Sequence, residues 1–89
     1  MSIPKVSIRQ LKAARALLDW SQEELASAAA VSLPTIKRLE AADGWLAGRQ
    51  ATAQKIRAAL DKAGIEFIDE SAGGPGVRLR KRRRLKIPN

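Results

Sequence analysis

The chain has 89 residues, of which 17 are Lys or Arg and 9 are Asp or Glu, so its formal net charge is +8. A chain of this length forms one small domain. It contains no cysteine and no histidine, which removes disulfides, thiolate chemistry and the commonest acid–base groups and metal ligands. We therefore predict no enzymatic activity, no catalytic residue, no metal and no cofactor. The basic excess favours a polyanionic partner, above all nucleic acid.

The sequence shows no segment that predicts insertion into a membrane. No apolar run approaches the roughly 20 residues of a membrane-spanning helix. The first ten residues, MSIPKVSIRQ, lack the apolar segment of a secretory signal. We therefore expect a cytoplasmic protein without a membrane partner.

Two capping boxes mark helix starts near the amino terminus. Ser7 is followed three residues later by Gln10, and Ser21 by Glu24. Each serine side chain can accept a hydrogen bond from the backbone amide three residues on, and the Gln or Glu side chain there can accept one from the serine amide. These starts predict helices that run to about residue 19 and about residue 29. In the first helix, the apolar residues that share one face at helical spacing are Ile8, Leu11, Ala14, Leu17 and Leu18.

Two further helices are predicted downstream. One begins after Ser32 and ends near Glu40, with Pro34 in its first turn, where the amides have no carbonyl partner within the helix. A loop follows, and helical periodicity returns from about residue 51 to residue 63. Gly64 is suited to end this helix in the left-handed conformation.

After Gly64 the periodicity changes to that of strands. IEFID and VRLRK alternate apolar and polar residues around the turn-like SAGGPG, which predicts a β-hairpin over residues 65–81. The basic run that follows predicts a disordered tail over residues 82–89, either binding phosphates or only aiding solubility. The predicted fold class is therefore mainly α: a compact four-helix domain over residues 1–64, followed by a hairpin.

Residues 21–40 read SQEELASAAAVSLPTIKRLE and contain two helix starts in close succession. Their apolar residues all face inward only if the helix breaks and the two halves cross steeply, with the small Ala26 at the closest approach. Such a pair is a helix-turn-helix, and a short helix with a free amino end can enter the DNA major groove. That end carries Ser32, Leu33, Pro34 and Thr35, then Lys37 and Arg38, with no acidic residue before Glu40.

The segment LKAARALLDWSQEELASAAAVSLPTIKRLE is similar to the lambda-repressor-like, XRE-type helix-turn-helix regulators of bacteria and phages. The resemblance covers about residues 8–64. It is carried by the twenty motif positions, at which the family's requirements for apolar, small and polar residues are all met together. It implies a lambda-repressor-like fold that binds double-stranded DNA. The hairpin also looks like one attached to many small bacterial members.

The resemblance implies roles by position. Gln22 would bind a DNA phosphate and brace the recognition helix, and Ser32 would also touch the DNA backbone. Thr35 would lie between phosphate and base contact. Arg15 and Glu40 would form a structural pair that ties the first helix to the end of the third. The positions that read base edges in the family are Leu33, Pro34, Lys37 and Arg38.

Two departures from the family pattern affect this interpretation. Ala30 stands where the turn usually holds glycine, and a left-handed alanine costs about 1 kcal/mol, so we expect a slightly remodelled turn. Leu33 and Pro34 are apolar where many relatives carry hydrogen-bonding side chains. They can touch a thymine methyl group but cannot make a bidentate base contact. Base reading would then rest chiefly on Arg38 and Lys37.

These features predict a sequence-specific DNA-binding transcriptional regulator. We expect a homodimer, because one short helix reads too few bases and two half-sites about 34 Å apart supply the rest. The hairpin has unpaired strand edges, and its apolar residues are the expected dimer or partner surface: Phe67, Val77 and Leu79. The alternative is a protein-binding module on the same scaffold, an antitoxin or antiactivator that sequesters a partner protein.

Overall fold

The computed structural model describes residues 6–46, 50–68 and 73–80. The helices are α1 (Ile8–Leu18), α2 (Gln22–Ala29), α3 (Leu33–Ala41) and α4 (Gln50–Lys62), and they are followed by the strands β1 (Ile65–Ile68) and β2 (Gly76–Leu79). The predicted fold class, four helices followed by a two-stranded hairpin, is confirmed. The tail predicted over residues 82–89 lies outside the described residues.

The serine caps explain where the first three helices begin. Ser7 and Ser21 each accept a hydrogen bond from the backbone amide three residues on, and both capping boxes are complete. Ser32 caps α3 in the same way, with a proline in its first turn. The predicted starts of these helices are confirmed, because each start depends on side chains within three residues of it.

The core lies where the four helices and β1 meet. Its fully buried large side chains are Ile8, Leu11, Leu25, Ile36, Ile56, Leu60 and Ile65. The prediction that Leu17 shares the inward face of α1 is wrong, because Leu17 is 46% exposed. Leu18 packs against the core instead. Successive helix residues are turned by about 100°, so the packing of α1 on its neighbours partly buries Leu18 and leaves Leu17 outside the contact.

The strands form an antiparallel hairpin that lies against α1 and α4. Its register sets Phe67 opposite Val77, and Glu66 opposite Arg78. Because side chains alternate between the faces of a strand, one hairpin face is apolar and the other carries these two charges. The apolar face packs against the helical core.

The segment before α4 is joined to the start of α1 through the backbone. The amide of Ile8 donates to the carbonyl of Gly44 at 2.8 Å, and the amide of Leu46 donates to the carbonyl of Val6 at 2.7 Å. Leu46 packs on the core, whereas Trp45 is 46% exposed at its rim. These bonds fix the chain that leads away from α3.

Candidate nucleic-acid interface

The turn between α2 and α3 is closed by a left-handed alanine. Ala30 has φ 58° and ψ 44°, the conformation that glycine usually supplies at a helix end. Its amide donates to the carbonyl of Ser27 at 3.2 Å, and the next amide, of Val31, donates to the carbonyl of Ala26 at 3.0 Å. The expected remodelling does not occur, because Ala30 itself adopts the left-handed geometry.

One side of α3 is packed against the protein. Ile36 is fully buried, and Leu33 and Leu39 are half-buried against the core. Leu33 is a position that the resemblance assigns to base reading, but much of its side chain is covered by the molecule itself. The structure therefore gives Leu33 a packing role at the start of α3.

The opposite side of α3, which we call the outer face, is defined by its exposed residues: Pro34, Lys37, Arg38 and Ala41. Within the described residues, Lys37 and Arg38 have no ion-pair or side-chain hydrogen-bond partner. Ala41 was missed by the sequence reasoning, which ended the helix at Glu40. The outer face thus presents two free cations, one on each side of an apolar strip formed by Pro34 and Ala41.

The two hydroxyls at the start of α3 bind each other. The oxygens Ser32 Oγ and Thr35 Oγ1 are 2.8 Å apart, and Ser32 Oγ also accepts from the Thr35 amide at 3.2 Å. Ser32 is exposed and Thr35 is half-buried. Both therefore lie beside the outer face. The Ser32 hydroxyl caps the helix, and the Thr35 hydroxyl is bonded to it.

The carboxyl end of α3 is held by a charged network. Arg15 Nε and Nη2 donate to the two carboxylate oxygens of Glu40, each at 2.8 Å. Arg15 Nη1 donates to the carbonyl of Trp20 at 2.9 Å, and Gln22 Nε2 donates to Glu40 Oε1 at 3.0 Å. One carboxylate thus joins the end of α1, the start of α2 and the end of α3.

The network shifts the pKa of both charged members in the direction of ionisation. Burial alone would raise the pKa of Glu40, but hydrogen bonds from Arg15 and Gln22 outweigh it and lower that pKa below its ordinary value. The hydrogen bond to Glu40 raises the pKa of Arg15 against the opposing effect of burial. Glu40 is only 5% exposed, so this ionised pair is part of the core rather than a surface contact.

The hairpin cations differ from those of α3. Arg78 Nη2 lies 2.9 Å from Glu66 Oε1, and Arg80 Nη1 lies 3.2 Å from Asp61 Oδ1. Arg80 also donates to the carbonyls of Asp61 and Ile65. These arginines tie β2 to β1 and to α4.

The expected dimer surface lies on the inner face of the hairpin. Phe67, Val77 and Leu79 are all half-buried and packed against the core. The sequence named these residues as a dimer or partner surface, and two alternating strands do not show which face the helices cover. Within the described residues, the outer edge of β2 has no neighbouring strand.

Gln10 has a role that the sequence reasoning missed. Its Oε1 accepts from the Ser7 amide at 2.8 Å, as the capping box requires. Its Nε2 donates to the carbonyls of Ile68 and Gly76, at 3.0 Å and 2.9 Å. Only its amide nitrogen, which a glutamate in the same box would lack, hinted at this second role. Gln10, 4% exposed, therefore joins α1 to the hairpin.

Comparison with known proteins agrees with this geometry. A family model described as helix-turn-helix matches residues 11–66, more than half of the chain. None of the curated proteins matches the chain. In the ranges described, no helix could cross a membrane, and no acidic cluster is placed to hold a metal ion. The matched family consists of DNA-binding regulatory domains that are not typically enzymes. The chain belongs to the lambda-repressor-like, XRE-type family of helix-turn-helix proteins.

Proposed function

We propose that this protein is a sequence-specific transcriptional regulator that inserts the outer face of α3 into the DNA major groove. The observation that supports this most directly is the exposure of Lys37 and Arg38, which lack a carboxylate partner among the described residues. A free guanidinium or ammonium on a protruding helix can bind base edges or phosphates. The family match supports the same conclusion.

The side chains around α3 divide into four roles in this proposal. Lys37, Arg38 and Pro34 face the bases, because they are exposed on the outer face. Ser32, Thr35 and Gln22 position the domain on the phosphate backbone. Leu33 supports the start of α3 from the core side. The pair Arg15 and Glu40 holds the other end of α3 and so sets the angle at which the helix enters the groove.

Gln22 can serve both the network and a phosphate. Its Nε2 donates to Glu40, and this nitrogen carries a second hydrogen while the backbone amides of the first turn of α2 have no helical acceptor. A phosphate at that end would receive these donors and be favoured by the helix dipole. Gln22 would thereby link a backbone contact directly to the carboxylate that fixes α3.

We propose that two copies bind one operator. A single short recognition helix reads too few base pairs, and a pair of domains bound about 34 Å apart doubles the site. The hairpin remains the proposed dimer surface, through the outer edge of β2 and the solvent-accessible parts of Phe67, Val77 and Leu79, and not through the opposite face, which carries Arg78. The measurement is the molar mass in solution by light scattering, with and without a selected duplex. A single copy on every bound duplex would contradict the dimer.

A selection from random duplexes tests the proposed function. Wild type is expected to enrich a pseudo-palindrome, Arg38→Ala to lose the enrichment, and Arg78→Ala to keep it because Arg78 is engaged by Glu66. Affinity for the enriched duplex should fall steeply with salt through counterion release. The proposal fails if no duplex is enriched, or if affinity is independent of salt for every duplex tried.

A second candidate function is that of a protein-binding module, an antitoxin or antiactivator that sequesters a partner protein. It is favoured by Leu17, a large apolar side chain that is 46% exposed and belongs to α1 rather than to the outer face of α3. Co-purification of one partner at a stoichiometric ratio, equally with wild type and with Arg38→Ala, would support this function. Enrichment of a duplex by wild type alone would favour DNA.

A further inference from the structure

The outer face of α3 carries hydrogen-bond donors and no side-chain acceptor. Its four residues are a proline, a lysine, an arginine and an alanine. Lysine and arginine side chains donate hydrogen bonds but cannot accept them, and the other two side chains do neither. Whatever base this face hydrogen-bonds must therefore offer acceptors.

The one carboxylate of α3 is already engaged, and the hydroxyls beside the outer face are partly engaged. Both carboxylate oxygens of Glu40 are bound by Arg15, and one is also bound by Gln22. Because Glu40 is also buried, it cannot turn outward to meet a base. The hydroxyls of Ser32 and Thr35 bind each other, and Ser32 additionally caps the helix.

In the major groove, guanine alone presents two adjacent acceptors on one base, O6 and N7, whereas thymine presents a single acceptor, O4. Adenine has an amino group where guanine has O6, so a cationic donor that met it would remove the water of that group without giving it a partner. Arginine is suited to bind O6 and N7 together, and lysine can bind either atom. A donor-only face thus discriminates in favour of guanine.

We propose that each half-site of the target presents guanines to Arg38 and Lys37, beside a thymine whose methyl group contacts the ring of Pro34. This inference rests on the proposed function and deepens it by naming the bases that the face selects. The thymine follows from the apolar strip between the two cations, since a methyl group is the only apolar group that a base displays in the major groove.

The test replaces single atoms of the DNA. Once a duplex has been selected with wild type, each guanine in turn is replaced by 7-deazaguanine, which lacks the N7 acceptor, and affinity is measured by fluorescence anisotropy. We expect one or two guanines per half-site at which the replacement weakens wild-type binding by about 5- to 10-fold, within the range for a bidentate base contact. Replacing the contacted thymine by uracil, which lacks the methyl group, should weaken binding by about 3-fold.

Variants assign each effect to a residue. At the guanine bound by Arg38, the 7-deazaguanine effect should disappear in Arg38→Ala and persist in Lys37→Ala, and the converse should hold at the guanine bound by Lys37. Arg78→Ala should keep both effects. Circular dichroism melting checks that the variants remain folded, as expected for exposed side chains.

Two outcomes separate this inference from the proposed function. If wild type enriches a specific duplex whose half-sites lack guanine, or if 7-deazaguanine effects survive in both alanine variants, the inference is overturned while sequence-specific DNA binding stands. If no duplex is enriched, the proposed function itself fails and the inference falls with it.

Discussion

The third helix and the hairpin are both rich in basic residues, but their positive charges are in different states. Lys37 and Arg38 on α3 have no acidic partner among the described residues, whereas Arg78 on β2 and Arg80 directly after it are bound to Glu66 and Asp61. A count of charges would treat the two regions alike. The structure shows that one region holds cations that are free for a ligand and the other holds cations that join its own elements.

The position of the acidic residues causes this difference. Glu66 lies directly across the hairpin from Arg78, and Asp61 lies in the last turn of α4, beside the end of β2. On α3 the only acidic residue is Glu40, and it faces the interior, where Arg15 binds it. The fold therefore removes the one local carboxylate that could have neutralised the outer face.

The largest expected effect concerns the carboxylate that α3 turns inward. Glu40→Ala leaves Arg15, only 22% exposed in its side chain, without its partner. Breaking a buried ion pair in this way should lower the free energy of unfolding by about 3 kcal/mol. The measurement is urea denaturation followed by circular dichroism.

Glu66→Ala is the matched control, because it also removes a glutamate that is bound to an arginine. The side chains of Glu66 and Arg78 are 43% and 62% exposed, and pairs of this kind contribute at most about 1 kcal/mol. Equal losses of unfolding free energy in Glu40→Ala and Glu66→Ala would show that the network around Glu40 is no stronger than a surface contact.

The next effect separates free cations from engaged ones. The double variant Lys37→Ala/Arg38→Ala and the double variant Arg78→Ala/Arg80→Ala each remove two positive charges. The first should weaken binding to a selected duplex by about 100-fold, since each base contact is worth about 1–3 kcal/mol. The second should change affinity by less than about 3-fold, because these arginines lie outside the outer face and act on the DNA only through the long-range field. Comparable losses would mean that net charge alone governs the affinity.

A third prediction concerns the stability of the protein at acid pH. The bonds from Arg15 and Gln22 hold the pKa of Glu40 below its ordinary value in the folded protein. This contribution to stability is complete above the unfolded-state pKa of about 4.3 and is lost as the pH falls from there through the folded-state pKa. The free energy of unfolding should therefore fall less steeply between about pH 4.5 and pH 3 in Glu40→Gln than in wild type. Parallel curves for the two proteins would contradict this assignment.

What the sequence could predict was local. The three capping serines located the starts of α1, α2 and α3 because a cap depends on residues three positions apart. The network of Arg15, Glu40 and Gln22 joins residues up to 25 positions apart, and a family resemblance, rather than periodicity, pointed to its members.

What the sequence left out or misplaced depends on contacts that local spacing does not encode. Leu17 and Leu18 are adjacent, so helical periodicity alone does not decide which one meets the core. The inward packing of Phe67 and Leu79 depends on which face of the hairpin the helices cover. Gln10 satisfied a capping box on α1, and nothing nearby in the sequence revealed its two bonds to the hairpin, 58 and 66 residues away.

The smallest effects concern the turns that lead into the two compared regions. Gly64, which precedes β1, has φ 104°, and a Cβ added there would lie 3.4 Å from Leu79 Cδ1. Gly64→Ala should lower the free energy of unfolding by about 1–2 kcal/mol, because side chains disfavour this backbone conformation. A loss below about 0.3 kcal/mol would show that the backbone relaxes at this turn.

Ala30, which precedes α3, offers the reverse substitution. Its φ of 58° places an alanine where glycine costs less, so Ala30→Gly relieves strain of about 1 kcal/mol. Glycine also makes the unfolded chain more flexible, which offsets part of that gain, and we expect a net stabilisation of about 0.5 kcal/mol in urea denaturation. Ala28→Gly is the control, since Ala28 is an exposed residue inside α2, where glycine should destabilise by about 1 kcal/mol. Destabilisation of similar size in both variants would contradict a strained turn in front of the recognition helix.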